Sequence, residues 1–251
     1  MRVTRRWKLL LPGALALLVL GGCPLTPRVP APSQPQAPAP APHAGTPYDI
    51  VADASLLTIQ VYRGGALASA GHNHVIASHA LRGTIYVPAD VMASSFEVQF
   101  DVATLTVDEP ELRAQLASPD FPPDVPESAR QGTQHNMLGE ALLDAAQYPE
   151  ITLRAERVEQ PAAAGTAADA VLARVQSTVR GQVRSFAVPL HYQLADGNLT
   201  VTGEFPLRQT DLGLTPFSAL LGALQVQDEM HVKVRIVARA AATGARPAAA
   251  P

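Results

Sequence analysis

Two histidines separated by one residue are the clearest candidates for chemistry in this sequence. His72 and His74 stand in the run Gly71-His72-Asn73-His74. On an extended strand, side chains two positions apart project from the same face. Two imidazoles on one face suit zinc or copper, with His79 or His135 as a third ligand. In a second interpretation, His72 or His74 contacts the polar head of a ligand, for instance a quinone oxygen or a phosphate.

Sequence patterns that are typical of enzymes give no support to catalysis. The chain has no nucleophile elbow, phosphate loop or zinc-hydrolase helix, and no spacing joins a serine and a histidine into a triad. We therefore expect no catalytic residue and no cofactor. A metal-binding or metal-dependent envelope protein that uses His72, His74 and His79 is kept as an alternative.

The single cysteine, Cys23, closes an apolar run from Leu9 to Leu20. Four basic residues and no acid precede that run, so residues 1–22 have the zones of an export signal. A run of about a dozen apolar residues is too short to span a bilayer as a helix. The pair Gly21-Gly22 before the cysteine resembles the lipobox of bacterial lipoproteins, in which the thiol is acylated. This resemblance implies a lipoprotein signal peptide over residues 1–22 and a lipid anchor at Cys23.

Composition divides the rest of the chain into a linker, one domain and a tail. Nine of the 24 residues from Pro24 to Pro47 are proline, which favours an extended linker over residues 23–47. Residues 48–239 are long enough for a single domain, and residues 240–251 form an Ala/Pro-rich tail expected to be disordered. A further low-complexity stretch, residues 160–170, is expected to be a loop.

The net charge argues against nucleic acids as partners, and the residue after Cys23 indicates a location in the cell envelope. Removal of residues 1–22 leaves 15 Lys and Arg against 22 Asp and Glu, a net charge of −7. Nucleic-acid binding and adhesion through basic patches are therefore not expected. Pro24 follows Cys23 where inner-membrane retention often uses Asp, which favours the periplasmic face of the outer membrane.

Apolar and polar residues alternate through most of the domain, which is typical of antiparallel strands with one covered face. The clearest run, Met230–Ile236, places a basic residue at every second position. The pair Asp196-Gly197 predicts a hairpin turn. The other predicted strands are Leu57–Val61, Phe96–Val102, Ile151–Ala155, Val171–Val179, Phe186–Leu194 and Leu199–Phe205, with a turn near Gly181–Ser185.

Helical spacing of apolar residues is confined to a few places. It predicts a helix over Asn136–Ala146, a short one after Pro110 and another over Pro216–Leu224. Eight or nine antiparallel strands in fewer than 200 residues form a sandwich or a barrel. We predict an all-β fold, an antiparallel barrel of about eight strands with one to three short helices, because a barrel leaves no exposed edge.

Two segments resemble the YceI-like family of exported proteins. One is Met137-Leu138 through Asp144, followed by Tyr148-Pro149-Glu150-Ile151-Thr152-Leu153; the other is Gly203–Leu214 with the strand after Asp228-Glu229. Their order and spacing carry the resemblance over about Tyr48–Ala238. It implies an extended, lipocalin-like barrel whose apolar interior binds a long isoprenoid or other lipid tail, without catalysis.

The resemblance and the alternation together yield an expected function and an expected site. We expect a membrane-tethered envelope lipoprotein that sequesters or transports an apolar isoprenoid-type lipid. A closed barrel that binds nothing inside and serves as an interaction module is the remaining alternative, since sequence does not separate a hollow interior from a filled one. The expected cavity lining is Ile59, Val61, Phe96, Val98, Phe100, Leu153, Val188, Leu190, Val201, Phe205, Val232 and Val234.

Overall fold

The structure is a computed structural model that describes residues 43–162 and 167–241. The predicted signal peptide, Cys23, most of the linker and nearly all of the tail lie outside the described residues. The described part contains no helix with the length and apolarity needed to cross a bilayer. Its elements are the strands β1 (Thr46–Ile50), β2 (Leu56–Gly64), β3 (His74–Ser78), β4 (Arg82–Val87), β5 (Ser95–Asp101), β6 (Thr106–Val107), β7 (Glu150–Glu159), β8 (Ala170–Val179), β9 (Gln182–Ala195), β10 (Asn198–Arg208), β11 (Ser218–Ala219) and β12 (Leu224–Ala240), and the helices α1 (Pro110–Leu116) and α2 (Glu127–Leu138).

The strands close into an eight-stranded antiparallel barrel. The ring runs β1, β4, β5, β7, β8, β9, β10 and β12, and it closes where Tyr48, Asp49 and Ile50 of β1 pair with β12. Segments β2, β3 and β6 continue β1, β4 and β5 toward one end of the barrel, because β2 pairs with β12, β3 with β2 and β6 with β3. When β1–β2, β3–β4 and β5–β6 are each taken as one long strand, every strand of the ring pairs with its neighbours in sequence, and the predicted barrel is confirmed.

Alternation of side chains produces this ring because one face of every strand must point inward. In β12, Met230, Val232 and Ile236 are buried, while Lys233 and Arg235 between them are exposed. Branched and aromatic residues favour such pleated, half-covered strands. All seven predicted runs fall in strands, except that Val102 lies one residue beyond β5. Asp196 and Gly197, both with positive φ, form the predicted hairpin turn.

Two large connections cover one end of the barrel, which we call the α2 end. One connection, residues 102–149, carries α1 and α2, and the other, residues 209–223, carries β11. Shorter connections lie at the opposite end, among them the hairpin at Asp196-Gly197. His43 also lies at that opposite end, where its ring stacks on Tyr86 and its Nδ1 lies 2.9 Å from the Ser95 hydroxyl.

The helix predicted over Asn136–Ala146 was wrong in position. Helix α2 covers Glu127–Leu138 and ends at Gly139, whose backbone is extended. The following residues form turns in which Leu143 reaches the core, so apolar spacing that suited a helix serves packed turns instead. The face of α2 toward the barrel carries small and polar residues, which hid the helix from an analysis of apolar periodicity.

Two smaller predictions also need correction. The segment Pro216–Leu224 is no helix, because Leu220, Leu221 and Gly222 all have positive φ and turn the chain between β11 and β12. The turn predicted near Gly181–Ser185 is shorter, since only Arg180 and Gly181 separate β8 from β9. The short helix after Pro110 is confirmed as α1.

Gly83 provides a test of how closely β4 and β5 approach. Its φ is +135°, and a Cβ there would lie 2.0 Å from the Glu97 carbonyl oxygen. We expect Gly83→Ala to lower the free energy of unfolding by about 2–3 kcal/mol, because strain and a backbone clash add. Urea denaturation of residues 24–251, which retain every strand, measures the change.

A second glycine serves as the control for that experiment. Gly132 lies inside α2, and a Cβ there would have no atom within 4 Å. Gly132→Ala is expected to raise the free energy of unfolding by about 0.5–1 kcal/mol, the ordinary gain for a helix interior. Equal effects of the two substitutions would contradict the close approach at Gly83.

Candidate functional site

The barrel interior contains a continuous apolar cavity of about 570 Å³. An engineered apolar cavity of about 150 Å³ is known to accept benzene, so this one has room for about four times that volume. Interior residues such as Val201 and Val234 are only partly buried although they face inward, because they border this empty space. The cavity contradicts the alternative of a filled, closed barrel.

The cavity runs along the barrel and not across it. On β12 its wall extends from Leu224 to Ile236. Twelve steps of about 3.3 Å make about 40 Å along the strand, or about 30 Å along the axis at ordinary barrel tilt. The length suits an elongated apolar molecule better than a compact one.

The twelve residues expected to line a cavity all lie on its wall. They come from β2, β5, β7, β9, β10 and β12. Whether they contact a ligand stays a prediction. They are Ile59, Val61, Phe96, Val98, Phe100, Leu153, Val188, Leu190, Val201, Phe205, Val232 and Val234.

Helix α2 lies across one end of this cavity and gives it a partly polar mouth. The cavity is bordered by Ala129, Gly132, Thr133, Asn136 and Met137 of this helix. These positions recur at intervals of three and four residues, so they share one helical face. Small side chains on that face leave room for the cavity, and Thr133 and Asn136 add polar groups to its mouth.

His74 is fixed at this mouth by two hydrogen bonds. Its Nδ1 donates to Asp108 Oδ2 at 2.6 Å, and its Nε2 lies 3.0 Å from the Thr133 hydroxyl. Because an ionised carboxylate only accepts, Nδ1 carries the proton in the contact with Asp108, and the Thr133 hydroxyl lies at Nε2. Both ring nitrogens of His74 are thus used within the protein. His72, whose ring centre lies 6.1 Å from that of His74, also borders the cavity.

Asp108 and Arg113 extend this contact into a buried ionic network. Both residues are 1% exposed. Arg113 Nη1 donates to Asp108 Oδ1 at 2.5 Å, and the Val75 N–H donates to the same carboxylate at 2.9 Å. Asp108 adopts φ 54°, a left-handed conformation that Asp tolerates better than most residues. The carboxylate thus accepts three hydrogen bonds, from His74, Val75 and Arg113.

The guanidinium of Arg113 ties three segments around the mouth. It donates to the Asn73 carbonyl at 2.9 Å and to the Pro122 carbonyl at 2.9 and 2.7 Å. Its Cζ lies 5.6 Å from the ring centre of the buried Phe121. Asn73 adds a bond from its side chain to the Asp120 carbonyl. The Pro-rich segment before α2 is held in place by these contacts.

The network lowers the pKa of Asp108. Burial by itself raises that pKa, but hydrogen bonds from His74, Val75 and Arg113 favour the charged form and outweigh it. The folded protein therefore holds an ionised carboxylate inside the mouth.

The structure does not bring the proposed metal ligands together. His79 lies outside the cavity, with Nε2 at 3.1 Å from the Glu109 carboxylate, and His135 lies on α2 away from the His74 ring. Within residues 43–162 and 167–241, no three His, Cys, Asp or Glu side chains converge as metal ligands do. The alternative that uses His72, His74 and His79 as a metal site is not supported by this geometry.

Sequence reasoning missed the partners of His74. It found no acidic companion near the histidine pair, but Asp108 and Thr133 approach from 34 and 59 residues away. Around Asp108, the run Asp108-Glu109-Pro110 indicates only the start of a helix and gives no sign of the contact with His74. The pairing depends on tertiary structure and could not be obtained from spacing.

Comparison with known proteins agrees with this architecture. Residues 124–238 match the family profile described as YceI-like domain. No curated protein matches the sequence significantly.

Solved structures resemble the barrel at low sequence identity. BcnA of Burkholderia cenocepacia shares 15% identity, with a TM-score of 0.53 over 75% of this chain and 99% of BcnA. A polyisoprenoid-binding domain from Saccharophagus degradans shares 15% identity, with a TM-score of 0.48 over 77% and 98%. The YceI protein of Campylobacter jejuni shares 10% identity, with a TM-score of 0.45 over 64% and 82%. The likeness to BcnA establishes a common fold.

The charge of Asp108 can be tested through acid stability. Asp108→Asn keeps the side-chain shape and tolerates the same backbone, but it leaves Arg113 buried without a counter-charge. We expect a loss of about 3–5 kcal/mol in the free energy of unfolding at pH 7. Urea denaturation of residues 24–251 between pH 7 and pH 3 measures it.

The pH dependence has a definite sign. Because the folded-state pKa lies below the ordinary 3.8, the unfolded chain takes up the proton first. The stabilisation of the fold by ionised Asp108 is complete above the ordinary pKa and is lost as the pH falls through the folded-state pKa. The gap between wild type and Asp108→Asn should thus narrow in acid, whereas a constant gap would refute the role of charge. Asp53→Asn, at an exposed position, is the control and should have little effect.

Proposed function

This chain belongs to the YceI-like family, and from that premise we propose that it binds an apolar isoprenoid-type lipid inside its barrel. The observation that carries the proposal is the continuous apolar cavity of about 570 Å³. Its length of about 30 Å suits a tail that extends along the barrel axis. Burial of the tail would supply affinity at about 25 cal/mol per Å² before the costs of binding are subtracted.

We further propose that the polar head of the lipid lies at the α2 end. Arg63, His72, Thr133 and Asn136 border the cavity there, whereas most of the remaining wall is apolar. His74 would act as a positioning residue, because Asp108 fixes its ring and the ring in turn holds the Thr133 hydroxyl. A lipid would therefore enter with its tail first.

The protein is proposed to bind its ligand without transforming it. Thr133, His74 and Asp108 follow the hydroxyl, imidazole and carboxylate order of acyl-transfer enzymes. However, the carboxylate also neutralises the buried Arg113 and accepts the Val75 N–H, so stabilisation of the mouth accounts for the arrangement. The array is interpreted as a support for the mouth.

The cellular setting is a proposal that rests on the amino-terminal sequence. The basic, apolar and small-residue zones before Cys23 support export and acylation, and Pro24 favours the periplasmic face of the outer membrane. The tethered protein would sequester or transport its lipid in the cell envelope. Globomycin treatment of the producing bacterium, with loss of the processed acylated form, would test the anchor.

Blocking the cavity tests lipid binding directly. Val201 faces the cavity, and Thr202 beside it is exposed on the outer face of β10. We expect Val201→Trp to weaken binding of a C20 isoprenoid alcohol by about tenfold or more, since excluding about 60 Å² of tail is sufficient. Thr202→Trp, the matched control, should bind as the wild type does.

Native mass spectrometry of protein purified gently from its own host supplies the readout. The wild type should carry a co-purifying lipid that Val201→Trp lacks, and added alcohol should be recovered with its mass unchanged. Equal binding by both tryptophan variants, or an empty wild type that ignores the alcohol, would remove the proposed function.

The location of the head can be tested with paired ligands. His72→Ala is expected to weaken binding of a polyprenyl phosphate by about tenfold, the usual value of a hydrogen bond to a charged group. Binding of a polyprenyl hydrocarbon of the same length should not change. His79→Ala, which removes a histidine outside the cavity, is the control. Equal losses for both ligands with His72→Ala would place the head elsewhere.

A further inference from the structure

Three exposed leucines form an apolar patch on the α2 end of the barrel. Leu67 is 44% exposed, Leu220 is 67% exposed and Leu221 is fully exposed. Leu67 lies in the connection between β2 and β3, and the other two lie in the turn between β11 and β12. The Leu67 N–H donates to the Ala223 carbonyl at 2.7 Å, so the two connections are held together. We propose that these leucines insert into a lipid bilayer and place the cavity mouth against it.

The backbone of the turn directs its leucines outward at a cost. Leu220 and Leu221 have φ of 51° and 56°, a left-handed region that Gly and Asn adopt readily and Leu rarely adopts. An ordinary surface turn would carry Asn-Gly here and expose no apolar side chain. Leucines in a strained conformation that contact only water do not stabilise the isolated protein. Burial of these side chains in a bilayer would offset the strain.

Both connections also lack charge. Residues 212–227 contain no Asp, Glu, Lys or Arg, and neither do residues 64–71. Charged side chains are the groups that most oppose entry into hydrocarbon. A segment of 16 residues that carries no charge and contains Leu220 and Leu221 therefore matches the uncharged interior of a bilayer. This match distinguishes a bilayer from a protein partner, whose surface would offer polar groups as well.

The patch is continuous with the cavity. Phe217, Ala219 and Leu224, on either side of the exposed turn, border the cavity, as do Gly71 and His72 beyond Leu67. A lipid leaving the bilayer would thus reach the cavity along the uncharged turn. Among the described residues, the one Asp, Glu, Lys or Arg that borders the cavity is Arg63, which donates to the Gly71 carbonyl. Transfer of a lipid into the cavity rests on the proposed function, whereas insertion of the leucines into the bilayer does not.

The amino-terminal tether permits this orientation. His43 lies at the opposite end of the barrel from the leucines. As an extended chain, the 20 residues from Cys23 to Pro42 would reach about 60 Å, at about 3.1 Å each, which exceeds the barrel length of about 30 Å. An anchor at Cys23 would therefore allow the α2 end to turn toward the same membrane.

Vesicle flotation tests the insertion with residues 24–251, which omit Cys23 and retain every strand. With neutral phosphatidylcholine vesicles, we expect the wild type to bind and to stay bound in 0.5 M salt, because no charge attraction is involved. Leu220→Asn with Leu221→Asn should reduce binding by about tenfold or more. This double variant suits the positive φ, so it should be at least as stable as the wild type.

A matched substitution at the other end provides the control. Leu194 is 43% exposed near the Asp196-Gly197 hairpin, and Leu194→Asn should leave vesicle binding unchanged. The only tryptophan of the sequence is Trp7, so Leu221→Trp and Leu194→Trp each give residues 24–251 a single reporter. On adding vesicles, the emission of Leu221→Trp should shift to the blue and that of Leu194→Trp should not.

The outcomes separate this proposal from lipid binding in the cavity. Absence of vesicle binding, equal binding by the double asparagine variant, or release by salt would overturn bilayer insertion, whatever the cavity holds. If the cavity binds no lipid, insertion of the leucines is still measured by flotation. If the cavity binds lipid and the leucines insert, the double variant should bind the isoprenoid alcohol with unchanged equilibrium affinity. It should take the alcohol up from vesicles more slowly than the wild type.

Discussion

The ladder between β1 and β12 is the constraint on which the hollow interior depends. Tyr48, Asp49 and Ile50 pair with the last residues of β12 and turn an open sheet into a ring. Closure satisfies the backbone groups of both edge strands and fixes the circumference at eight strands. In a ring of this size the side chains cover the wall but need not fill the axis. The cavity therefore follows from closure together with the choice of Val, Leu and Ile on the wall.

The mouth is stabilised differently, because its loops lack the backbone hydrogen bonds that hold strands together in a sheet. Here a buried ion pair performs that task. Asp108 and Arg113 are costly to remove from water, but each gains several further hydrogen bonds that compensate. Those bonds join β3, α1 and the segment before α2, and they orient His74 toward Thr133. A polar feature that resembles catalytic machinery is thereby explained by the need to fix irregular backbone around an opening.

The fold was largely accessible from sequence, whereas the mouth was not. Alternation in runs such as Met230–Ile236 shows which side of a strand is covered, and seven such runs are compatible with few architectures. The same periodicity failed for α2, whose inner face carries Gly132, Thr133 and Asn136 because it borders empty space. It failed again at Leu220 and Leu221, where a positive φ replaced the expected helix. Contacts such as His74 with Asp108 join residues far apart in sequence and leave no local pattern.

These failures share a physical cause. Sequence periodicity records burial against protein, and the elements around the mouth face something other than protein. Helix α2 presents small side chains to the cavity, and the turn at Leu220 and Leu221 presents apolar side chains to the outside. In both places the residue types are unusual for their local environment in the isolated chain. Because the barrel wall supplies most of the apolar burial, the mouth tolerates such residues without loss of the fold, and the proposed contacts with a ligand and a membrane both lie there.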